Sequence, residues 1–335
     1  MRYLPIEQIR VDSVLAMPVY GSGGCILLNA NTVLRAKYIT RLTELGFAGL
    51  YIYDEISEDI DVEDLLPQEL RLEVFKAYQS LNIDACRLVA HSIVDELLKH
   101  SHVSVDMMNV ASYDNYTFNH SLDVAVLSVI TGLALGFSYD RLQKLSEGAL
   151  LHDIGKLSVS LDLLNKTDAL SEEEMEIIRR HPEEGYRMVK EDSTIPPTVK
   201  RAIHAHHENE DGSGYPRKLS GDKIPQFAKI IHVCDVYDAL VSNRIYRKAV
   251  NPADAMEYLM SNAYTMFDVK YVKKLMECVT PYPTGITVEL SDGRQAIVTR
   301  QNTENYMRPC LRLLDTLDDV DLMEVLNLTI VRIMT

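Results

Sequence analysis

Seven side chains able to ligate a metal ion are spread through the middle of the chain: His120, His152, Asp153, His181, His206, His207 and Asp235. Imidazole nitrogens and carboxylate oxygens together suit divalent transition metals, and seven of them exceed what one tetrahedral or octahedral ion takes from a protein. The set therefore points to at least two ions, and to a fold that gathers residues far apart in sequence. Between about residues 103 and 275 the hydrophobic pattern is almost wholly helical, and a helical bundle is the natural scaffold, because ligands on facing helices converge on its core.

Local signals place the ligands on this scaffold. The segment SLDVAVLSVITGLALGF is too apolar all round for a surface helix, so it is expected to be buried, with His120 at or just before its first turn. RLQKLSEGALLHDIGKL continues with a helical period ending near Gly155, which puts His152 and Asp153 on a helix. Ser171 followed by Glu174 matches a capping box, opening a helix that stops where His181 and Pro182 begin the next. Further helices are expected over PTVKRAIHAHH, FAKIIHVCDVYDALVS and PADAMEYLMS.

Outside this region the character changes. Residues 1–66 read as a small α+β module, with strands in VLAMPVY, CILLN and GLYIY and a helix around AKYITRLTELG, closed by an acidic run. Residues 67–102 read as a helical linker of one or two helices. The helical domain spans 103–280, and 281–335 form a β-rich extension with a hairpin around Asp292 and Gly293. The fold class is thus mainly α, a helical bundle flanked by a small α+β N-terminal module and a short β-rich C-terminal extension.

A net charge of −15 disfavours DNA or RNA polymers and anionic membranes as partners, since such binding rests on clustered Lys and Arg. A small phosphorylated substrate remains compatible, because metal ions and a few local cations make one cleft positive within an acidic protein. No run of 18 apolar residues occurs and the first residues lack a signal-peptide pattern, so a cytoplasmic location is expected. Five cysteines with no C-x-x-C spacing read as buried thiols.

Two ions about 3.5 to 4 Å apart form a clamp suited to in-line displacement at phosphorus, so phosphoester hydrolysis is the reaction class this set serves best. Lys156 follows Asp153 by three residues, close enough to neutralise a phosphate oxygen. Past the His206–His207 doublet, the Gly- and Pro-rich stretch to Pro225 is a loop carrying Tyr215 and Arg217 towards the cavity. Asp238 lies one turn after Asp235, and Arg244 and Arg247 are spaced to grip a phosphate. Each element also has a plainer reading: a lone histidine is commonly structural, and Arg244 and Arg247 can pair with acids on a neighbouring helix. His204 and His232, at helical spacing from His207 and Asp235, read as structural or supporting.

His152-Asp153-Ile154-Gly155-Lys156 resembles the HD-domain signature. His206-His207-Glu208-Asn209-Glu210-Asp211-Gly212-Ser213-Gly214-Tyr215-Pro216 resembles the second signature of the HD-GYP subfamily, whose members hydrolyse cyclic-di-GMP. The resemblance covers roughly residues 105 to 270. It implies an all-helical metallophosphodiesterase core with iron or manganese favoured. It assigns metal binding to His120, His152, Asp153, His181, His206, His207 and Asp235, with Asp153 as the bridge and, with Lys156, the catalytic pair. Lys156, Tyr215, Asp238, Arg244 and Arg247 match positions that face the substrate. Family members holding a third metal carry a glutamate one turn before the first histidine; here that place is Tyr116, which implies two ions and favours a single cut to linear pGpG over full conversion to GMP. A second departure is Ile245, where the family often has proline. The alternatives are a non-catalytic module that binds a cyclic dinucleotide or a protein, and an HD phosphohydrolase acting on another nucleotide. Intact ligands disfavour the first and their number disfavours the second. No motif gives residues 1–66 a role; a homodimer contact or a signalling-protein partner is the expectation there.

Overall fold

In the computed structural model, residues 1–21, 25–62, 65–80, 82–100, 116–164, 166, 168–242 and 250–334 are described, without the side chains of 116–118. The helical region is organised around α4 (Tyr116–Ala134), after α1 (Ala36–Glu44), α2 (Gln68–Gln79) and α3 (Ile83–Leu97). Leu122, Val124, Ala125, Val126, Leu127, Val129 and Ile130 are all buried, so α4 is enclosed on every side, as its unbroken apolar run requires. It packs on α3, on α5 (Tyr139–Leu150), and on two later helices, α10 (Gln226–Val241) and α12 (Val269–Met276). Between them lie α6 (Leu161–Leu164), α7 (Glu172–Arg179), α8 (His181–Val189), α9 (Pro197–Ala205) and α11 (Pro252–Ser261).

One continuous core runs from Leu66 to Val279 and includes Val74, Ala77, Ala90, Ile93 and Leu97. Helices α2 and α3 therefore do not merely span a gap. They bury their own apolar stripes against α4 and α5, which makes them members of the bundle. The capping box at α7 is formed as its sequence predicts: Ser171 Oγ accepts from the Glu174 amide at 3.2 Å, and the Glu174 carboxylate accepts from the Ser171 amide at 2.8 Å.

The N-terminal module has more strands than the sequence reading gives it. β1 (Arg2–Pro5) pairs antiparallel with β5 (Gly49–Tyr53), which also pairs with β2 (Val14–Leu15); β3 (Val19–Tyr20) and β4 (Ile26–Leu28) form a separate pair. β1 is missed because four residues ending in proline give too short a pattern to read.

At the other end, β6 (Thr287–Leu290), β7 (Gln295–Arg300), β8 (Cys310–Leu313), β9 (Asp319–Asp321) and β10 (Ile330–Ile333) make an antiparallel sheet ordered β10-β6-β7-β8-β9. The β6–β7 hairpin turns at Asp292 and Gly293, with Gly293 at φ 86°, where glycine is favoured. The two ends of the chain touch. The Tyr3 amide donates to Gly285 O at 2.9 Å, and Arg312 donates to both carboxylate oxygens of Asp59, at 2.6 and 2.8 Å.

Candidate metal centre

The seven sequence-selected ligands come together, mostly from helix ends. Helix α5 stops at Leu150, so His152 and Asp153 lie in the turn before a short 3₁₀ segment, Ile154–Ser158, and not on a continuing helix. Close packing against α8 explains the break: a Cβ on Gly155 would stand 1.9 Å from His181 O and 2.5 Å from the Gly185 amide nitrogen. His181 opens α8, His206 caps the end of α9, and His207 follows it. His120 sits on α4, and Asp235 and Asp238 lie one turn apart on α10.

Three of the histidines are oriented in the same way. Nδ1 of His152, His181 and His206 lies 2.6, 2.8 and 2.8 Å from the carbonyl oxygens of Ala149, Ile178 and Ile203. A carbonyl only accepts, so Nδ1 carries the proton and Nε2 presents a lone pair to the interior. These lone pairs converge on Asp153. His181 Nε2 is 3.2 Å and His206 Nε2 3.9 Å from Oδ1, while His152 Nε2 is 3.4 Å and His120 Nε2 3.6 Å from Oδ2. His181 and His206 face each other Nε2 to Nε2 at 3.0 Å.

Acceptors face acceptors here with no proton between them. His152 Nε2 and Asp153 Oδ1 are buried without a hydrogen bond, although nitrogens surround the latter, because those nitrogens bear no hydrogen. A divalent cation is what satisfies such a set. Ligand atoms about 2.0–2.2 Å from a shared ion at near-tetrahedral or octahedral angles stand roughly 3–3.5 Å apart, close to the separations found. The ligand atoms fall into overlapping groups, Asp153 with His181, His206 and His207, and Asp153 with His120 and His152. The His, Asp cluster thus fits divalent metal binding. A third group, His207, His232 and Asp235, is also close. It borrows His207, whose neutral ring has a single lone pair, so it offers no independent position.

Electrostatics keep His152, Asp153, His206 and His207 in ligand form. Burial, reinforced by neighbouring histidines, holds His206 well below the usual imidazole range; burial does the same for His207 and, less strongly, for His152, so all three stay neutral near pH 7. Burial opposes the charge on Asp153, but the carboxyl is held well below its ordinary value, with the Lys156 ammonium the foremost influence against burial. Lys156 Nζ donates to Asp153 Oδ2 at 2.5 Å. His120 differs from the others. Burial disfavours its charge, yet hydrogen bonds to Asp235 and Asp238 raise it to about 9.

Asp238 departs from its expected place facing substrate. It is fully buried, 2.6 Å from His120 Nδ1, and also accepts from Ser242 Oγ at 3.0 Å, so it stands behind His120 and orients it. Tyr215 stacks on His207, with ring centroids 4.8 Å apart and an interplanar angle of 28°. Arg244, Arg247, Ile245 and the Tyr116 side chain lie outside the described residues. His204 stacks on Tyr186, and His232 Nε2 meets Asn209 Oδ1 at 3.1 Å.

Sequence reasoning overlooked two further residues. Buried Glu208 accepts backbone N–H groups of Arg217 and Leu219 at 2.7 and 2.8 Å, and Lys229 donates to Glu210 and Asp268 at 3.0 and 3.2 Å. Lys229 carries a legible signal, since it is the one lysine or arginine in the α10 sequence QFAKIIHVCDVYDALV.

Residues 105–271 match the HD domain family model. The chain is 30% identical over 264 residues to a cyclic di-GMP phosphodiesterase of Pseudomonas aeruginosa, covering 77% of this chain and 64% of that protein. It is 30% identical to the cyclic di-GMP phosphodiesterase PdeB of Borreliella burgdorferi, over 58% of this chain and 51% of the relative. To a 3'3'-cGAMP-specific phosphodiesterase of Vibrio cholerae it is 36% identical, over 51% and 37%. The chain thus spans between about a third and two thirds of these relatives' lengths. In fold it is similar to Bd1817, an HDG"Y"P protein from Bdellovibrio bacteriovorus, with a TM-score of 0.54 and 20% identity over 82% of this chain and 97% of that one.

Proposed function

The chain belongs to the HD domain family, in its HD-GYP branch, and on that premise we propose that it is a metal-dependent phosphodiesterase that opens cyclic-di-GMP at a centre of two divalent cations. The observation that carries this reading is Asp153, whose two oxygens face separate groups of histidine Nε2 atoms. In this assignment His120, His152, Asp153 and Asp235 hold one cation, and Asp153, His181, His206 and His207 hold the other. Iron or manganese suits such a nitrogen and oxygen set.

Bound there, the two cations supply Lewis-acid stabilisation of the phosphoryl oxygens and an activated water. The chain's own residues do the rest. Lys156, one turn from Asp153 and partly exposed, carries a positive charge beside the position where charge develops on phosphate oxygens. Tyr215 presents its phenol beside His207, and Arg244 and Arg247 are assigned to the second phosphate of the ring. Asp238 meets His120 Nδ1 and so orients the ring with Nε2 inwards. The assigned product is linear pGpG, with GMP following where a second cut occurs.

Cyclic dinucleotides as a class are supported by the names of the relatives, and the Vibrio enzymes make the guanine–adenine ring the natural competitor substrate. No helix of the described residues is long and apolar enough to cross a membrane. In this reading, residues 1–66 and 281–335 are assigned to regulation or partner binding, and 103–280, with α2 and α3, to chemistry.

The test is chromatography of products after protein loaded anaerobically with Fe(II) or Mn(II) is given cyclic-di-GMP, cyclic GMP-AMP and GTP in parallel. Linear dinucleotide from the first is expected. Protein that holds two metals per chain yet turns over neither cyclic dinucleotide would refute the assignment.

A further inference from the structure

Each cluster histidine but one has its ring fixed by a hydrogen bond. His152, His181 and His206 use main-chain carbonyls, and His120 uses Asp238. The ring of His207 makes no such bond among the described residues. Its Nδ1 lies 3.7 Å from Asp235 Oδ2, too far for one, and its side chain is 18% exposed. A ring free to turn about two bonds loses more entropy on ligation than one already held. What holds His207 is packing. Tyr215 lies nearly parallel on it, while the rings of His181 and His206 meet it at centroid distances of 5.0 and 4.3 Å.

Tyr215 is itself held from beneath. Its amide donates to His207 O at 3.1 Å, folding the loop back on the residue that it covers. Gly214 makes this return feasible, since a Cβ there would stand 2.4 Å from His207 O and 2.3 Å from the Asn209 amide nitrogen. The Glu208 carboxylate, itself 2% exposed, ties the far side of the loop through the amides of Arg217 and Leu219. Buried charge-assisted bonds of this kind are strong and directional. Lys229 anchors the same loop through Glu210 to Asp268 at the start of α12.

We propose that Glu208 and the ring of Tyr215 are positioning residues for His207, so that the loop, in place of a carbonyl, sets the last ligand of the second cation. This rests on the two-cation reading above. It gives Tyr215 a duty of its ring face, separate from any contact its hydroxyl makes with substrate.

The experiment is calorimetric titration of the metal-free full chain with Mn(II), repeated with Co(II) followed by visible absorption, alongside thermal unfolding without metal. Wild type and Tyr215→Phe are expected to show the same two binding events, because phenylalanine keeps the ring face. Tyr215→Ala is expected to weaken one event roughly 10–100-fold, the range typical when support behind a ligand is lost, and to leave the other nearly unchanged. Glu208→Gln should move the same event in the same direction, with metal-free unfolding little altered. Where Tyr215→Ala lacks a cooperative metal-free transition, Tyr215→Leu, which fills space without a flat face, is read on the same two events. Two unaltered events in the ring-deleted chain would overturn the positioning role and leave the two-cation reading standing. A wild-type chain that binds no Mn(II) or Co(II) would overturn both.

Discussion

At the scale of single residues, the centre is a collection of lone pairs held against one another by the fold. Asp153 is the residue on which it turns, because each of its oxygens has its own histidines. Asp153→Ala is expected to reduce bound metal from about two per chain to below one and to abolish turnover, measured by elemental analysis and product chromatography; wild-type metal content in the variant would mean that the bridge lies elsewhere. A second buried acid lies outside the centre. Glu147 on α5 is 1% exposed, with Oε1 unpaired, and burial lifts its carboxyl from 4.5 to about 7. A raised folded value means that its contribution is full below pH 4.5 and is lost as pH rises through about 7. Glu147→Gln should therefore gain on wild type at pH 8.5 relative to pH 5, by about 1–2 kcal/mol after solvent screening. Parallel unfolding curves at the two pH values would contradict this. Histidine identity and spacing make the candidate ligands legible in sequence, but which nitrogen each turns inwards depends on carbonyls three residues back and on Asp238.

At the scale of elements, signals carried by short stretches of sequence were readable, and those set by a neighbour were not. The capping box of Ser171 and Glu174 and the turn at Asp292 and Gly293 are local, and both form as their residues dictate. The helical period through LLHDIGKL continues on paper past Leu150, yet the helix stops there, since Gly155 must lie against α8. Gly155→Ala tests this directly. With His181 O 1.9 Å from the added carbon, the turn has to shift, and a loss of about 1–3 kcal/mol together with reduced metal content is expected in unfolding and elemental analysis. Full stability with full metal would show that the turn has room. For α4 the expectation is simpler: Leu127→Ala, at a site with no exposed surface, should cost about 2–5 kcal/mol by denaturant titration.

At the scale of the molecule, the ends of the chain meet in a contact that no local pattern announces. Arg312 on β8 reaches Asp59 and Ile56 O in the N-terminal module, and Tyr3 on β1 bonds to Gly285. Hydrogen bonds from Arg312 hold the Asp59 carboxyl down at about 2, so this tie is present above its ordinary value of 3.8 and fades as pH falls towards 2. Asp59 is largely exposed, which keeps the gain small. Arg312→Ala is expected to cost about 1 kcal/mol and to make residues 54–66 more open to limited proteolysis, with metal content unchanged. Equal proteolysis of the two chains would remove the tie.

By itself, the sequence determined the helical class and the flanking β-rich ends, and it picked out the histidines and aspartates that the fold gathers into one cluster, because residue chemistry and hydrophobic period are local properties. Only the tertiary structure decided that α2 and α3 belong to the bundle, that Asp238 backs His120, and that the two ends pack together. Each of these is a contact between residues whose separation along the chain says nothing of their distance in space.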